Sequence, residues 1–135
     1  MSDPGKTEFF EGRARLIKFP KQAEPRGSLV PFNFEQLPFP PRHVFTVQDV
    51  PAGVVRGQHA RRSVQQLLVC LAGQLQVELR DSGRSETVTL DRPDIGLFIG
   101  ENLWAAQTYL GPETILLVFT SAPYDAGSYV EEPRN

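Results

Sequence analysis

The chain has 135 residues, a length that suits one domain with a buried core, and 22% of the residues are charged. Fourteen Lys and Arg against 16 Asp and Glu give a net charge of −2. This balance lacks the basic excess of a nucleic-acid-binding domain and the charge density of a disordered chain, so small molecules and proteins remain as expected ligands.

The N-terminal sequence MSDPGKTEFFEGRARLIKF contains no apolar stretch followed by a cleavage site. No later segment approaches the ~18 consecutive apolar residues of a membrane-spanning helix. We therefore expect a soluble, cytoplasmic protein with neither nucleic acid nor membrane as a partner.

Twelve Pro and eleven Gly lie mostly between short apolar runs, which favours many strands over long helices. The predicted strands are residues 28–32, 43–50, 64–72, 74–81, 85–91, 94–100, 103–110 and 114–121. QLQVEL alternates polar and apolar residues like a strand with one wet face, whereas LLVCL and ILLVF are typical of strands covered on both faces. The pattern predicts an all-β fold, either a sandwich or a small barrel.

Turn-forming residues lie between these strands. Gly73 predicts a tight hairpin, and Asp81-Ser82-Gly83 predicts another. The proline-rich stretch FNFEQLPFPPRH predicts an extended connection without a helix. The C-terminal stretch APYDAGSYVEEPRN predicts a surface segment with one short helical turn.

The only cysteine, Cys70, lies in the apolar run LLVCLAG. A single cysteine excludes an internal disulfide and an all-thiolate zinc site. We expect a buried, inert thiol.

Residues 53–73 have the spacing of the first metal-binding motif of cupins, which are small β-barrels of this size. His59 occupies the position of the first histidine ligand, but Arg61 replaces the second, and Gln65 or Gln66 replaces the carboxylate. One imidazole, amides and a fixed cation do not hold a divalent ion. We therefore predict no metal.

Residues 59 and 61 are two apart on a predicted strand, so both side chains point to one face, which we expect to be the barrel interior. A neutral imidazole at His59 can accept a proton near pH 7, and a nearby guanidinium lowers its pKa. Arg61 stays protonated, and its forked donors suit a phosphate or an enolate oxygen. The residues alone leave open a structural histidine beside solvated arginines.

The runs RGQHARR, QQLLVCLAG, GLFIG and LW resemble the sugar-nucleotide 3,4-ketoisomerases of the cupin superfamily, the WxcM-like proteins. Arg26-Gly27-Ser28-Leu29 is similar to a strand of that family, and Tyr124-Asp125 with Tyr129 is similar to its closing segment. We assign residues 1–25 to an N-terminal extension, 26–130 to the barrel and closing segment, and 131–135 to a tail, all within one domain.

The resemblance implies an all-β cupin fold, a jelly-roll-like small barrel. It implies metal-independent isomerisation of a dTDP-4-keto-6-deoxyhexose to the 3-keto sugar in deoxysugar biosynthesis, without a cofactor. It also implies a homodimer with exchanged N-terminal strands. The predicted catalytic residues are His59 and Arg61, and the predicted substrate-binding residues are Arg26, Arg56, Gln65, Trp104, Gln107 and Tyr109.

Two positions depart from the family pattern. Arg61 replaces the second histidine of the motif R-G-x-H-A-H-K, and Ala105 follows Trp104 where His or Arg is common. One base at His59 can in principle move the proton from C3 to C4 through an enediol, with Arg61 stabilising the enediolate. Two alternatives stay open: a catalytically impaired nucleotide-sugar-binding module, and an isomerase or epimerase acting on another 4-keto nucleotide sugar.

Overall fold

Short strands dominate the computed structural model, which describes residues 5–133. Residues 1–4 and 134–135, at the ends of the predicted extension and tail, lie outside the described residues. In chain order the strands are β1 (Glu8–Phe9), β2 (Ala14–Lys18), β3 (Gln22–Glu24), β4 (Gly27–Leu29), β5 (His43–Val47), β6 (Val55–Arg61), β7 (Gln66–Ala72), β8 (Leu75–Asp81), β9 (Arg84–Leu90), β10 (Ile95–Ile99), β11 (Trp104–Tyr109), β12 (Ile115–Thr120) and β13 (Tyr129–Val130). No helix within residues 5–133 is long and apolar enough to cross a membrane.

Two antiparallel sheets enclose the main core. The larger sheet has the order β1-β2-β10-β7-β12-β5 and the smaller has the order β13-β6-β11-β8-β9. Strands β3 and β4 form a separate two-stranded hairpin. The predicted all-β class is confirmed. The core between the sheets includes Leu68, Leu75, Val77, Leu79, Leu97, Ile99, Leu116 and Val118.

A second apolar cluster explains why β7 and β12 lack a polar face. Leu67, Val69 and Phe119, which alternate with the residues of the main core, pack with Leu37 and Phe39 of the proline-rich connection. This connection is irregular apart from a 3-10 turn, yet burying a Phe such as Phe39 contributes about 2 kcal/mol. The prediction that LLVCL and ILLVF are covered on both faces is confirmed except at Leu71, the last residue of LLVCL, which is 37% exposed.

The predicted hairpin at Gly73 is wrong, because β7 belongs to the larger sheet and β8 to the smaller one. The chain does turn there. Gly73 has φ +75°, and a Cβ atom at this position would lie 2.5 Å from Oγ1 of Thr114, so the crossing between sheets requires glycine. The second predicted hairpin is confirmed, since Asp81 pairs with Arg84 across a two-residue turn.

The N-terminal region contributes to the barrel more than the sequence predicts. Strand β2, within residues 1–25, pairs with β10 in the larger sheet, and Ala14 is fully buried. Further along, the strand predicted at residues 28–32 is limited to β4, which ends at Leu29. Part of the extension is therefore a strand of the barrel. The basic residues between its apolar ones make this strand hard to predict from the sequence.

The C-terminal stretch lies largely on the surface, as its acidic and proline residues predict, but it also adds an unpredicted strand to the smaller sheet. After the 3-10 turn Ala126–Ser128, β13 pairs with β6 through Tyr129 opposite Arg61. The indole Nε1 of Trp104 donates a hydrogen bond of 2.8 Å to the carbonyl oxygen of Glu131. The segment covers what would otherwise be the open edge of β6.

Candidate active site

A cavity of about 170 Å³ lies between the two sheets. The larger sheet lines it mainly with apolar side chains, and the smaller sheet supplies most of its polar ones. The lining residues from the larger sheet are Phe45, Val47, Gln66, Leu68, Leu116 and Val118. Those from the smaller sheet are Arg56, Gly57, His59, Arg61, Gln107, Tyr109 and Tyr129. A polar ligand would therefore bind with its reactive side toward β6 and β11.

Strand β6 carries three of these polar side chains on one face because it contains a bulge. Arg56 and His59 are three residues apart and would point to opposite faces of a regular strand. Residues 57 and 59 instead pair with consecutive residues of β11, so Gln58 is an extra residue. Gly57 and Gln58 both have positive φ, +83° and +54°. The bulge restores a common direction for Arg56, His59 and Arg61.

Glycine is required at the bulge for two reasons. The φ of Gly57 lies in the left-handed region. In addition, a Cβ atom there would lie 2.7 Å from Oε1 of Gln107. Glycine thus allows β6 to approach the Gln107 side chain at the cavity wall.

His59 is partly buried, with its ring 4.4 Å from the ring of Tyr129 at an interplanar angle of 87°. Burial is the main cause that lowers the pKa of His59, and the charge of Arg61 adds to it, while a hydrogen bond with the backbone of Gly57 acts in the opposite direction. The imidazole is therefore neutral at pH 7 and can accept a proton.

Arg61 lines the cavity but is only 3% exposed. Its Nε and Nη2 atoms donate to Oγ of Ser128 over 3.3 and 3.2 Å. Its Cζ atom lies 4.6 Å from the ring centroid of Tyr129. Two donors and one face of the guanidinium are thus occupied by protein groups. The sequence predicts instead that this guanidinium binds an anion.

Tyr109 lies on the cavity wall with 0% exposure. Among residues 5–133 its hydroxyl proton has no acceptor, although the Arg56 side chain lies close enough to donate toward the hydroxyl oxygen. Burial raises the pKa of Tyr109 to about 12, although the charge of Arg56 and a hydrogen bond from its side chain oppose this shift. The phenol remains protonated and is free to donate to a ligand oxygen.

The structure places three of the predicted substrate-binding residues outside the cavity. The backbone N–H of Gln65 donates to Oγ of Ser121, and it is the next residue, Gln66, that lines the wall. Arg26 is exposed in the turn between β3 and β4. Trp104 is buried on the outer face of the smaller sheet, where Arg80 stacks 5.0 Å from its ring. By contrast, Arg56, Gln107 and Tyr109 meet His59 and Arg61 at the cavity.

Sequence reasoning assigned no site role to Gln66, Ser128 or Tyr129. Gln66 could have been found from the alternation along β7, where it shares a face with Leu68. Tyr129 belongs to the closing segment on which the family resemblance rests. The contact of Ser128 with Arg61 spans 67 residues and has no local signal.

Cys70 is 1% exposed, as predicted, and its thiol donates to the carbonyl oxygen of Ala72. Burial raises the pKa of Cys70 to about 11, which keeps the thiol protonated and unreactive. Within residues 5–133, no three His, Cys, Asp or Glu side chains form a cluster that could hold a metal ion.

Residues 12–135 match the family model described as "FdtA: WxcM-like, C-terminal". The chain belongs to the WxcM-like FdtA family. This chain is 32% identical over 122 residues to the TDP-4-oxo-6-deoxy-alpha-D-glucose-3,4-oxoisomerase of Aneurinibacillus thermoaerophilus, covering 90% of this chain and 88% of that protein. The resemblance to sugar-nucleotide ketoisomerases is thereby confirmed.

Two solved structures extend the similarity to the fold of this FdtA-family chain. The first is a sugar 3,4-ketoisomerase from Thermoanaerobacterium thermosaccharolyticum in complex with TDP, with TM-score 0.85, 29% identity, and coverage of 89% of this chain and 88% of that chain. The second is a TDP-quinovose 3,4-ketoisomerase from Campylobacter jejuni, with TM-score 0.83, 31% identity, and coverage of 88% and 92%. The predicted cupin barrel is confirmed.

Proposed function

We propose that the protein catalyses the metal-independent isomerisation of a TDP-4-keto-6-deoxyhexose to the corresponding 3-keto sugar. The observation that carries this proposal is a neutral imidazole, His59, facing a cavity with a free buried hydroxyl at Tyr109. The relative from A. thermoaerophilus is a 3,4-oxoisomerase of a TDP-4-oxo-6-deoxy sugar, and the one from T. thermosaccharolyticum is in complex with TDP.

The reaction needs a base but no oxidant or reductant. The imidazole of His59 takes the proton from C3, and the electron pair of the C3–H bond forms the C3–C4 double bond as the C4 carbonyl becomes an enediolate oxygen. Proton transfer from the C3 hydroxyl to the C4 oxygen moves the negative charge to the C3 oxygen. Collapse to the C3 carbonyl then returns the proton from His59 to C4. The product is an isomer of the substrate, and the imidazole is neutral again.

We assign stabilisation of the enediolate to Tyr109 and Arg56. The hydroxyl of Tyr109 is protonated and has no acceptor among the described residues, and the Arg56 guanidinium carries the positive charge. A donor already oriented toward the developing charge lowers the barrier without reorganisation during the reaction. Gln107 and Gln66 supply neutral groups for the sugar hydroxyls.

We propose that the protein is a homodimer with exchanged N-terminal strands. The β3–β4 hairpin stands apart from both sheets, and Leu29 on it is 57% exposed. Strand β5 is an edge of the larger sheet and exposes Val44, while Phe45 lines the cavity. A hairpin packed against this edge would cover apolar surface and bring the partner's Arg26 to the mouth of the cavity.

The residues that we assign to the nucleotide depend on the proposed dimer. Among the described residues, the groove beside Trp104 contains Glu131 and Glu132 against the one cation Arg80, and this net negative charge would repel a diphosphate. We therefore assign the diphosphate to the mouth near Arg56 and the partner's Arg26, and we keep Trp104 as a wall residue.

A single cysteine and no internal disulfide suit a reducing compartment such as the cytoplasm.

The test is to incubate the protein with TDP-4-keto-6-deoxyglucose and identify the sugar product by NMR, with binding of TDP measured in parallel by calorimetry. We expect a 3-keto product and TDP binding. Binding without product would favour the impaired binding module, and a product with inverted stereochemistry at C3 or C5 would favour an epimerase. Neither binding nor product would contradict the assigned substrate class.

A further inference from the structure

The Arg61 side chain is directed more toward the protein than toward a ligand. Its Nε and Nη2 atoms both donate to the hydroxyl of Ser128, and the residue is 3% exposed. A buried guanidinium without partners is strongly destabilising, so these contacts are needed for the side chain to be accommodated. Arg61 is at the end of β6, and its partner is in the C-terminal closing segment, which we define as residues 125–130.

The Ser128 hydroxyl uses its full hydrogen-bonding capacity in this contact. It accepts both bonds from Arg61 and donates a bond of 2.7 Å to the carbonyl oxygen of Asp125. The carboxylate of Asp125 in turn accepts from the N–H of Gly127, which closes the 3-10 turn. The guanidinium is therefore bound to a turn whose own hydrogen bonds are complete.

Tyr129 transmits this anchoring to the site. Its ring lies 4.6 Å from Cζ of Arg61 and 4.4 Å from the ring of His59, so it contacts both side chains. The backbone of Tyr129 pairs with Arg61 in the β6–β13 ladder. Because Tyr129 also lines the cavity, displacement of the closing segment would both open the wall and release one side of the imidazole.

We propose that Arg61 is a positioning residue that fastens the closing segment through Ser128, so that Tyr129 holds the His59 ring in its orientation toward the cavity. The catalytic consequence rests on the proposed isomerisation, whereas the anchoring itself does not. Arg61 thus acts through Tyr129 and is not the ligand of the enediolate. The shorter side chain of histidine lacks the two-pronged contact with Ser128, so the arginine at this position serves a different purpose from a second acid/base.

The anchoring is tested by NMR without any substrate. The chain has two histidines, His43 and His59, so the ring protons of His59 are assigned by their loss in an H59N variant. In R61M we expect the His59 ring-proton shifts to move toward free-histidine values as the Tyr129 ring current is lost. We also expect faster amide exchange in the closing segment.

The matched control is R62M. Arg62 is exposed, and its Nη1 atom donates one bond to the Gly127 carbonyl oxygen of the same segment. An exposed contact of this kind contributes little, so R62M should leave the His59 shifts and the amide exchange unchanged. Unchanged His59 shifts and unchanged exchange in R61M would overturn the proposal.

Kinetics separate positioning from substrate binding. We expect kcat of R61M to fall about 10²-fold through misplacement of the base, while the Kd for TDP-sugar stays within about twofold. S128A, which leaves the apolar core intact, should reproduce both the NMR changes and the loss of kcat. The double variant should lose little more than either single variant, because both remove one interaction.

Two outcomes would contradict the account of Arg61. The first is a loss of TDP-sugar affinity as large as the loss of kcat/KM, with unchanged His59 shifts, which would make Arg61 a substrate ligand. The second is additive losses in the double variant. If the wild-type protein does not isomerise the sugar, the proposed function fails, and the NMR experiment still decides whether Arg61 fastens the segment.

Discussion

Arg56 and His59 face the same cavity although they lie three residues apart on one strand. The bulge at Gly57 and Gln58 brings them to one face by adding a residue that β11 does not match. The base and the cation that we assign to the enediolate are therefore placed together by a local backbone irregularity.

Replacement of Gly57 by Ala tests the bulge. We expect G57A to lose about 1–3 kcal/mol of unfolding free energy and most of its activity, because a Cβ atom meets Gln107 at a positive φ. The matched control is G83A, since Gly83 has φ +77° with no heavy atom within 4 Å of an added Cβ. Denaturant unfolding and kcat are measured for both. G83A should lose stability alone, and full activity in G57A would refute the role of the bulge.

The pH dependence of kcat/KM reports the pKa of the catalytic base, His59. The folded-state pKa of His59 lies below its ordinary value of 6.5, so the neutral form persists to lower pH than in a free histidine. Activity should rise with pH through a midpoint below 6.5 and stay level above it, because Tyr109, with a pKa of about 12, keeps its proton. Initial rates between pH 4.5 and 9 measure this profile. A midpoint above 6.5 would be inconsistent with a partly buried neutral imidazole as the base.

The substitution Tyr109→Phe should separate stability from activity. The hydroxyl proton is buried without an acceptor among residues 5–133, so removal of this donor should raise the free energy of unfolding by about 1 kcal/mol. Loss of a donor to the enediolate should lower kcat about 10²-fold. Chemical denaturation and steady-state kinetics provide the two measurements. A less stable variant with normal kcat would mean that the hydroxyl serves the fold.

The sequence pattern predicts the strands that form the core, because their alternation or continuous apolar runs reflect burial directly. It predicts the turn at Gly73 but not the sheet to which the next strand goes, since a turn residue carries no information about remote pairing partners. Strand β13 escapes prediction for the same reason, because it exists only through pairing with β6. Its acidic and proline neighbours give it the composition of a surface tail.

The candidate site was predicted in part. Side chains alternate along a strand, and this alternation correctly predicts that His59 and Arg61 share one face. The family resemblance indicates Tyr109 and Gln107 as further site residues. The bulge is not predictable, because it depends on the register between β6 and β11. The Arg61 contact is not predictable either, because Ser128 is 67 residues away. Sequence alone therefore gives Arg61 the role of an anion ligand, whereas two of its donors are bound to Ser128 within the fold.

The central claim is that His59 moves the proton between C3 and C4 of a 4-keto sugar. The most direct measurement follows TDP-4-keto-6-deoxyglucose by proton NMR in deuterated buffer with the wild-type protein, H59N and, as the matched control, H43N. We expect a 3-keto product from the wild-type protein and H43N, with protium at C4 where His59 returns the abstracted proton directly and deuterium where the imidazole exchanges with solvent first, and a rate lower by at least ~10²-fold for H59N. Product formation by H59N at the wild-type rate, or no 3-keto product with the wild-type protein, would contradict this role of His59.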